Sequence, residues 1–152
     1  MYPDSISQLL LRIPAILLAL TFHEYAHGKV AFLLGDPTAK NQGRLTLNPL
    51  AHLDVMGTLL LLVAGFGWAK PVPVNPFFFQ TDRRKGMMYV GLAGPLMNLA
   101  LAYLGAVVLH AFVRFDYGGY WLISFVQVFV FFNVILAVFN LIPIPPLDGS
   151  RV

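Results

Sequence analysis

An all-α polytopic membrane fold is predicted for this chain, and three observations predict it. First, 58% of the 152 residues are hydrophobic and only 11% are charged, with a mean hydropathy of +0.73. A soluble core of this size could not hide that much apolar surface, so a bilayer is the expected solvent. Second, residues 9–34, 87–113 and 120–142 form apolar runs at or above the roughly 20 residues a spanning helix needs. A fourth run, 55–68, is too short for that and reads as a short or re-entrant segment. Third, the connections are polar and turn-rich, with no repeat, linker or low-complexity stretch. The 152 residues therefore read as one membrane-embedded domain with three long helices, a short apolar segment and short strand-like loops.

Each element has its own justification. The first run reads as retained rather than as a cleavable leader, because the stretch before Ile13 carries Asp4 and Arg12 without a basic n-region and no small-residue cleavage site follows. After it, the alternation Arg44-Leu45-Thr46-Leu47 fits a short strand. Beyond residues 55–68, Pro71, Pro73 and Pro76 favour extended backbone and oppose helix. Lys70, Arg83, Arg84 and Lys85 lie just before the third run, which predicts a cytoplasmic loop there. Lys40 and Arg44 share that side if 55–68 re-enters, and lie across the membrane if it spans. In the re-entrant arrangement the N-terminus is outside and the third and fourth runs form an outward hairpin around residues 114–119. The phenylalanines of 77–79 and 129–132 read as lipid-facing or packing residues.

Composition also narrows the chemistry. The net charge of +3 comes from basic residues placed in loops beside apolar runs, a pattern for orientation in a membrane rather than for nucleic acid. With no cysteine there is neither a disulfide nor a thiolate metal site, so a metal would be held by His, Asp or Glu.

His23-Glu24-Tyr25-Ala26-His27 is an HExxH motif within the first apolar run. On a helix its two histidines lie one turn apart on one face and can grip one ion, favouring zinc. Glu24 is offset from them, placed to act on a water rather than to ligate. Glu24 is the only glutamate in the chain. An ionisable residue at membrane depth costs roughly 2.5–3.5 kcal/mol on insertion scales, so three idle polar residues there are a poor explanation. Ala15, Ala19, His23, His27 and Ala31 recur every four residues, and this small-residue stripe predicts close protein packing. A third ligand should come from whatever packs on it. His52, Asp54, Asp82, Asp116 and Asp148 are the candidates. Asp148 stands apart because Pro143, Pro145 and Pro146 break the fourth run just before it and Gly149 permits a sharp turn.

HEYAH on an apolar helix, AGPLMN at 93–98 and NLIPIPPLDG at 140–149 together resemble the site-2 protease family of intramembrane zinc metalloproteases. GRLTLNPLAHLD and WAKPVPVNP are similar to a compact bacterial and archaeal branch of that family. The resemblance covers nearly the whole chain. It implies His23, His27 and Asp148 as ligands of one Zn2+ and Glu24 as catalytic base. It further implies peptide hydrolysis in or near a transmembrane segment of a membrane protein substrate, in a bacterial or archaeal cell membrane. For His23, His27 and Asp148 to meet, 55–68 should re-enter, which puts the site towards the cytoplasmic side. Asn140 matches the family's asparagine before the LDG turn, with an oxyanion or substrate role and helix packing as its alternatives. Asn98 and His110 share a stripe with Gly94, Ala102 and Ala106 that reads first as helix packing, though the resemblance allows Asn98 a role near the site. His52 reads as a loop residue with a supporting or substrate-gating role as the alternative. The competing class is a metal-binding scaffold or transporter subunit without peptidase activity, which a fourth protein ligand such as His52 would favour. Family members usually continue into another helix after the LDG turn, so the resemblance implies a longer protein.

Overall fold

The computed structural model describes residues 5–64 and 69–151. Among them are the helices α1 (Ser5–Leu33), α2 (Thr38–Asn41), α3 (Val55–Ala64), α4 (Arg83–Arg114) and α5 (Tyr120–Asn140). Short 3-10 turns lie at Pro49–His52, Pro76–Phe78 and Asp148–Arg151. Three stretches are long and apolar enough to cross a membrane: Leu9–Leu33, Arg83–Arg114 and Tyr120–Asn140. These are the three predicted spans. α4 starts ahead of its apolar run because Asp82 caps it, its carboxylate accepting from the Lys85 N–H at 3.0 Å.

The packing is that of a protein in lipid. Large apolar side chains such as Leu96, Tyr103, Leu104, Phe131 and Val138 are exposed, while the interior holds Ala15, Ala19, Ala31, Ala102 and Ala137. Thr21, His23, His27, Asn98 and Asn133 are buried with them. Small residues bring helices close and polar ones bond across them, while the bilayer solvates the rest. All five residues of the predicted α1 stripe are buried. The α4 stripe is buried at Gly94, Asn98 and Ala102, but Ala106 and His110 are exposed.

The short apolar segment returns to where it began. At 1.5 Å per residue the 10-residue α3 is about 15 Å long, half a typical hydrocarbon core. Leu53 and Ala69 form an antiparallel bridge, and the Lys70 N–H donates to His52 O at 2.9 Å. The chain thus enters and leaves this excursion side by side, as a re-entrant segment must. Residues 65–68 of the predicted run lie outside the described residues.

The loops flanking that excursion pack together over the end of α1. Asp36, fully buried, accepts from the Thr38 N–H at 2.9 Å, the Thr38 hydroxyl and the Asn75 N–H at 2.7 Å. The Gln80 N–H donates to Leu34 O at 2.8 Å. The strand expected at 44–47 does not form; bends replace it. Its alternation is lost, with Arg44 buried, Leu45 and Thr46 intermediate and Leu47 half exposed. The cause is a bond the pattern cannot show: Arg44 Nη2 donates to Lys70 O at 2.6 Å, drawing the arginine inward. The Leu53–Ala69 bridge is the strand-like pairing among the described residues.

Candidate metal centre

α1 presents His23 and His27 on its buried stripe, with ring centroids 4.6 Å apart and planes nearly perpendicular. Each ring is held from behind through Nδ1. His27 Nδ1 lies 2.6 Å from Val90 O, and a carbonyl can only accept, so Nδ1 carries the proton. His23 Nδ1 lies 2.5 Å from Asn98 Oδ1. The amide orientation follows from its neighbours: Asn98 Nδ2 donates to Ala19 O at 3.1 Å and to Asn133 Oδ1 at 2.7 Å. Asn133 Nδ2 in turn donates to Phe129 O at 2.8 Å. A chain of amides from α5 through α4 thus makes Asn98 Oδ1 an acceptor and fixes the His23 tautomer.

Both Nε2 atoms are then left as lone pairs. They are 3.0 Å from each other, and each is 3.0 Å from Asp148 Oδ2. Three acceptors meeting with no proton among them repel one another, and a cation is the partner that relieves this. The triangle is also the right size. Corners of a 3.0 Å triangle lie about 1.7 Å from its centre, inside zinc's usual bond lengths of about 2.0–2.2 Å, so the three donors are close enough together to share one ion. Among the described residues, His23, His27 and Asp148 are the group whose donors could hold a metal ion.

Two glycines make room for this arrangement. A Cβ on Gly94 would lie 2.5 Å from His27 Nε2 and 2.6 Å from His23 Nε2. A Cβ on Gly149 would lie 2.3 Å from Leu141 O, so this glycine serves close backbone approach as the turn folds back onto the end of α5. The fold does the rest. α5 ends on the side where α4 begins, and the proline-rich turn carries Asp148 to α1 across 121 residues of sequence.

Glu24 opens onto the same place. A cleft of about 380 Å³ is lined by His23, Glu24, His27, Val72, Asn140 and Asp148, among others. The Val72 N–H donates to Glu24 Oε2 at 2.9 Å, which orients the carboxylate. Asn140 lines this cleft too, with Nδ2 donating to Leu136 O at 3.0 Å and its second N–H to spare.

The remaining sequence candidates go elsewhere. His52 is buried, with Nε2 against Thr46 O at 2.8 Å, where it braces its own loop. His110 is exposed on α4. Asp54 accepts from the Gly57 N–H, Asp82 caps α4, and Asp116 occupies the α4–α5 turn with φ of 49°. Three contributors had no sequence reading: Asn133, the Val72 N–H and Asp36. Asn133 carried a usable signal, being, with Gln127 and Asn140, one of three amides in an otherwise apolar span; a backbone donor leaves no trace in composition.

Asn98→Leu should weaken zinc binding by roughly 10–100-fold, the usual cost of losing an outer hydrogen-bond partner of a metal ligand. Chelator competition on the purified protein measures this. Unchanged affinity would mean that His23 needs no orienting partner.

Comparison with known proteins agrees with this geometry. Residues 118–152, which include α5 and the Asp148 turn, match the model of peptidase family M50. Three relatives bear the description "Putative zinc metalloprotease". YwhC of Bacillus subtilis is 46% identical over 99% of this chain and 70% of its own length. Rip2 of Mycolicibacterium smegmatis is 34% identical over 88% of this chain and 52% of its own. MJ0611 of the archaeon Methanocaldococcus jannaschii is 32% identical over 99% and 73%. No solved structure matches the chain significantly. On the strength of these relatives, and of three apolar spans around a His-His-Asp cluster, the chain belongs to peptidase family M50, the site-2 protease family of membrane metalloproteases.

Proposed function

We propose that this chain is the catalytic core of an intramembrane zinc protease that hydrolyses a peptide bond in or near a transmembrane segment of another protein. The observation that carries the reading is the convergence of two imidazole lone pairs and the Asp148 carboxylate beside Glu24, in one cleft below the level of the loops. Three protein donors leave one tetrahedral position open, which suits catalysis better than a closed structural site. Zinc held by His23, His27 and Asp148 would polarise the scissile carbonyl and make its water a nucleophile near neutral pH.

The chain's own residues supply the remaining chemistry. Glu24 takes a proton from the attacking water through the oxygen not bonded to Val72, then delivers it to the departing amine. Asn140 offers its second N–H to the developing oxyanion or to the substrate backbone. A helical substrate hides its carbonyls, so it must be held extended. The segment 71–75 is suited to that task. In an extended chain the backbone groups of residues i and i+2 face the same way, so those of Val74 face the cleft with the Val72 N–H. Pro71 and Pro73, which lack N–H groups, occupy the alternate positions. An unwound substrate strand would add along this edge. The basic loops favour a cytoplasmic orientation for this face in a bacterial or archaeal cell.

The test uses the protein in lipid vesicles with a membrane-segment substrate. Cleavage should require zinc, disappear with a chelator and return when zinc is restored. Asp148→Ala should lower zinc affinity by more than the roughly 10–100-fold that loss of an outer partner costs. Full zinc affinity in Asp148→Ala would remove that carboxylate from the site, and cleavage unaffected by chelation would remove zinc from the reaction.

A further inference from the structure

A second cleft, of about 820 Å³, opens beside the catalytic one, where α4 enters the membrane. Its charged lining is of one sign: Arg83, Arg84 and Lys85 from the first turn of α4, and Arg151 from the C-terminal turn. Phe77, Met87 and Met88 supply an apolar wall. The Arg83 guanidinium stacks over the Phe77 ring at 4.3 Å, which fixes its direction and leaves its edge N–H groups free. All four cations are exposed. Asp82, the neighbouring acid, is occupied in capping α4. Orientation in a membrane calls for basic residues near a helix end, but not for a cleft that draws them from two distant parts of the chain.

We propose that this cleft binds the headgroup of an anionic phospholipid. The phosphate would lie among the guanidinium groups, for which Arg has the matching bidentate geometry. The acyl chains would run down the exposed apolar face of α4 past Met87 and Met88. The lipid, rather than soluble phosphate, is favoured because the cleft combines cations with an apolar wall at the membrane boundary. The site reaches the catalytic cleft through one residue. Arg151 lines both clefts, and Asp148 belongs to the same turn. That turn packs on α4 so closely that a Cβ on Gly91 would lie 3.0 Å from Asp148 O and 3.1 Å from Arg151 Cβ. A bound headgroup would therefore brace the turn that carries Asp148. This last step rests on the protease reading; lipid binding does not.

The experiment measures lipid association on the Glu24→Gln protein, so that it is independent of proteolysis. The protein is reconstituted in phosphatidylcholine vesicles containing spin-labelled phosphatidylglycerol or spin-labelled phosphatidylcholine. Phosphatidylglycerol should associate at least about fivefold more strongly. Replacing Arg83, Arg84 and Arg151 together by Gln should bring the preference below about twofold. Arg114→Gln, which removes a cation at the far end of α4, should leave it intact. No preference in the parent protein, or equal loss in Arg114→Gln, would overturn the proposal. If inorganic phosphate at millimolar concentration displaces the lipid, the cleft is a site for soluble anions and the lipid assignment falls.

Discussion

Glu24→Gln should keep its zinc and lose its activity. The substitution preserves size and can still accept the Val72 N–H through its carbonyl oxygen, so the orienting bond at Oε2 survives. The carboxylate is no part of the donor triangle of His23, His27 and Asp148, and metal content should stay near one ion per chain. What disappears is a group able to take a proton at neutral pH, since an amide oxygen is a very weak base. Removing a positioned general base typically costs about 10²–10⁴-fold in rate, so kcat should fall by that range with KM little changed. Metal analysis and cleavage of a membrane-segment substrate on one preparation separate the two effects. Wild-type turnover in the variant would sink the assignment of the base. Zinc loss would show that Glu24 helps build the site rather than use it.

Gly94→Ala should be nearly as damaging, by the opposite route. The added methyl group would sit 2.5 Å from His27 Nε2 and 2.6 Å from His23 Nε2, in the space where the donors converge. Neither imidazole can retreat easily: Nδ1 of one is tied to Val90 O and that of the other to Asn98. The helix face that carries position 94 is buried, at Gly91, Pro95 and Asn98, and cannot shift without disturbing them. Alanine favours helix by about 1 kcal/mol over glycine, so the protein should fold and insert. Zinc affinity should nevertheless drop by at least about 100-fold, beyond the loss expected from Asn98→Leu. Circular dichroism confirms folding and chelator competition reads the affinity. Tight zinc binding in a folded Gly94→Ala protein would show that the metal does not lie between these histidines.

Much of this was legible in the sequence, for physical reasons that differ by residue. The spans and the α1 stripe could be read because a bilayer demands long apolar runs and tolerates His23, Glu24 and His27 only for a purpose. The prolines that end α5 made Asp148 stand out among the carboxylates, but it was the resemblance to the site-2 protease family that joined it to His23 and His27. The 44–47 strand failed because alternation reports side-chain polarity, while the burial of Arg44 is decided by carbonyls of Lys70 and Pro71 far along the chain. Asn98 looked like packing and is packing, but the same amide also orients His23. Its partner Asn133 and the Asp36 latch on Asn75 depend on which elements become neighbours, and spacing along one element does not carry that information.

The pairing of Leu53 with Ala69 has a consequence for where cutting can happen. Because the excursion between them comes back to its starting side, the loops flanking it, the Asp148 turn and the HEYAH end of α1 gather at one end of the helix bundle. His27 and His23 lie six and ten residues before the end of α1 at Leu33, or about 9 and 15 Å down a helix. On the proteolytic reading that distance is a depth gauge. A substrate is selected first by which of its peptide bonds hangs a third to a half of the way into the hydrocarbon, and only then by the side chains around that bond.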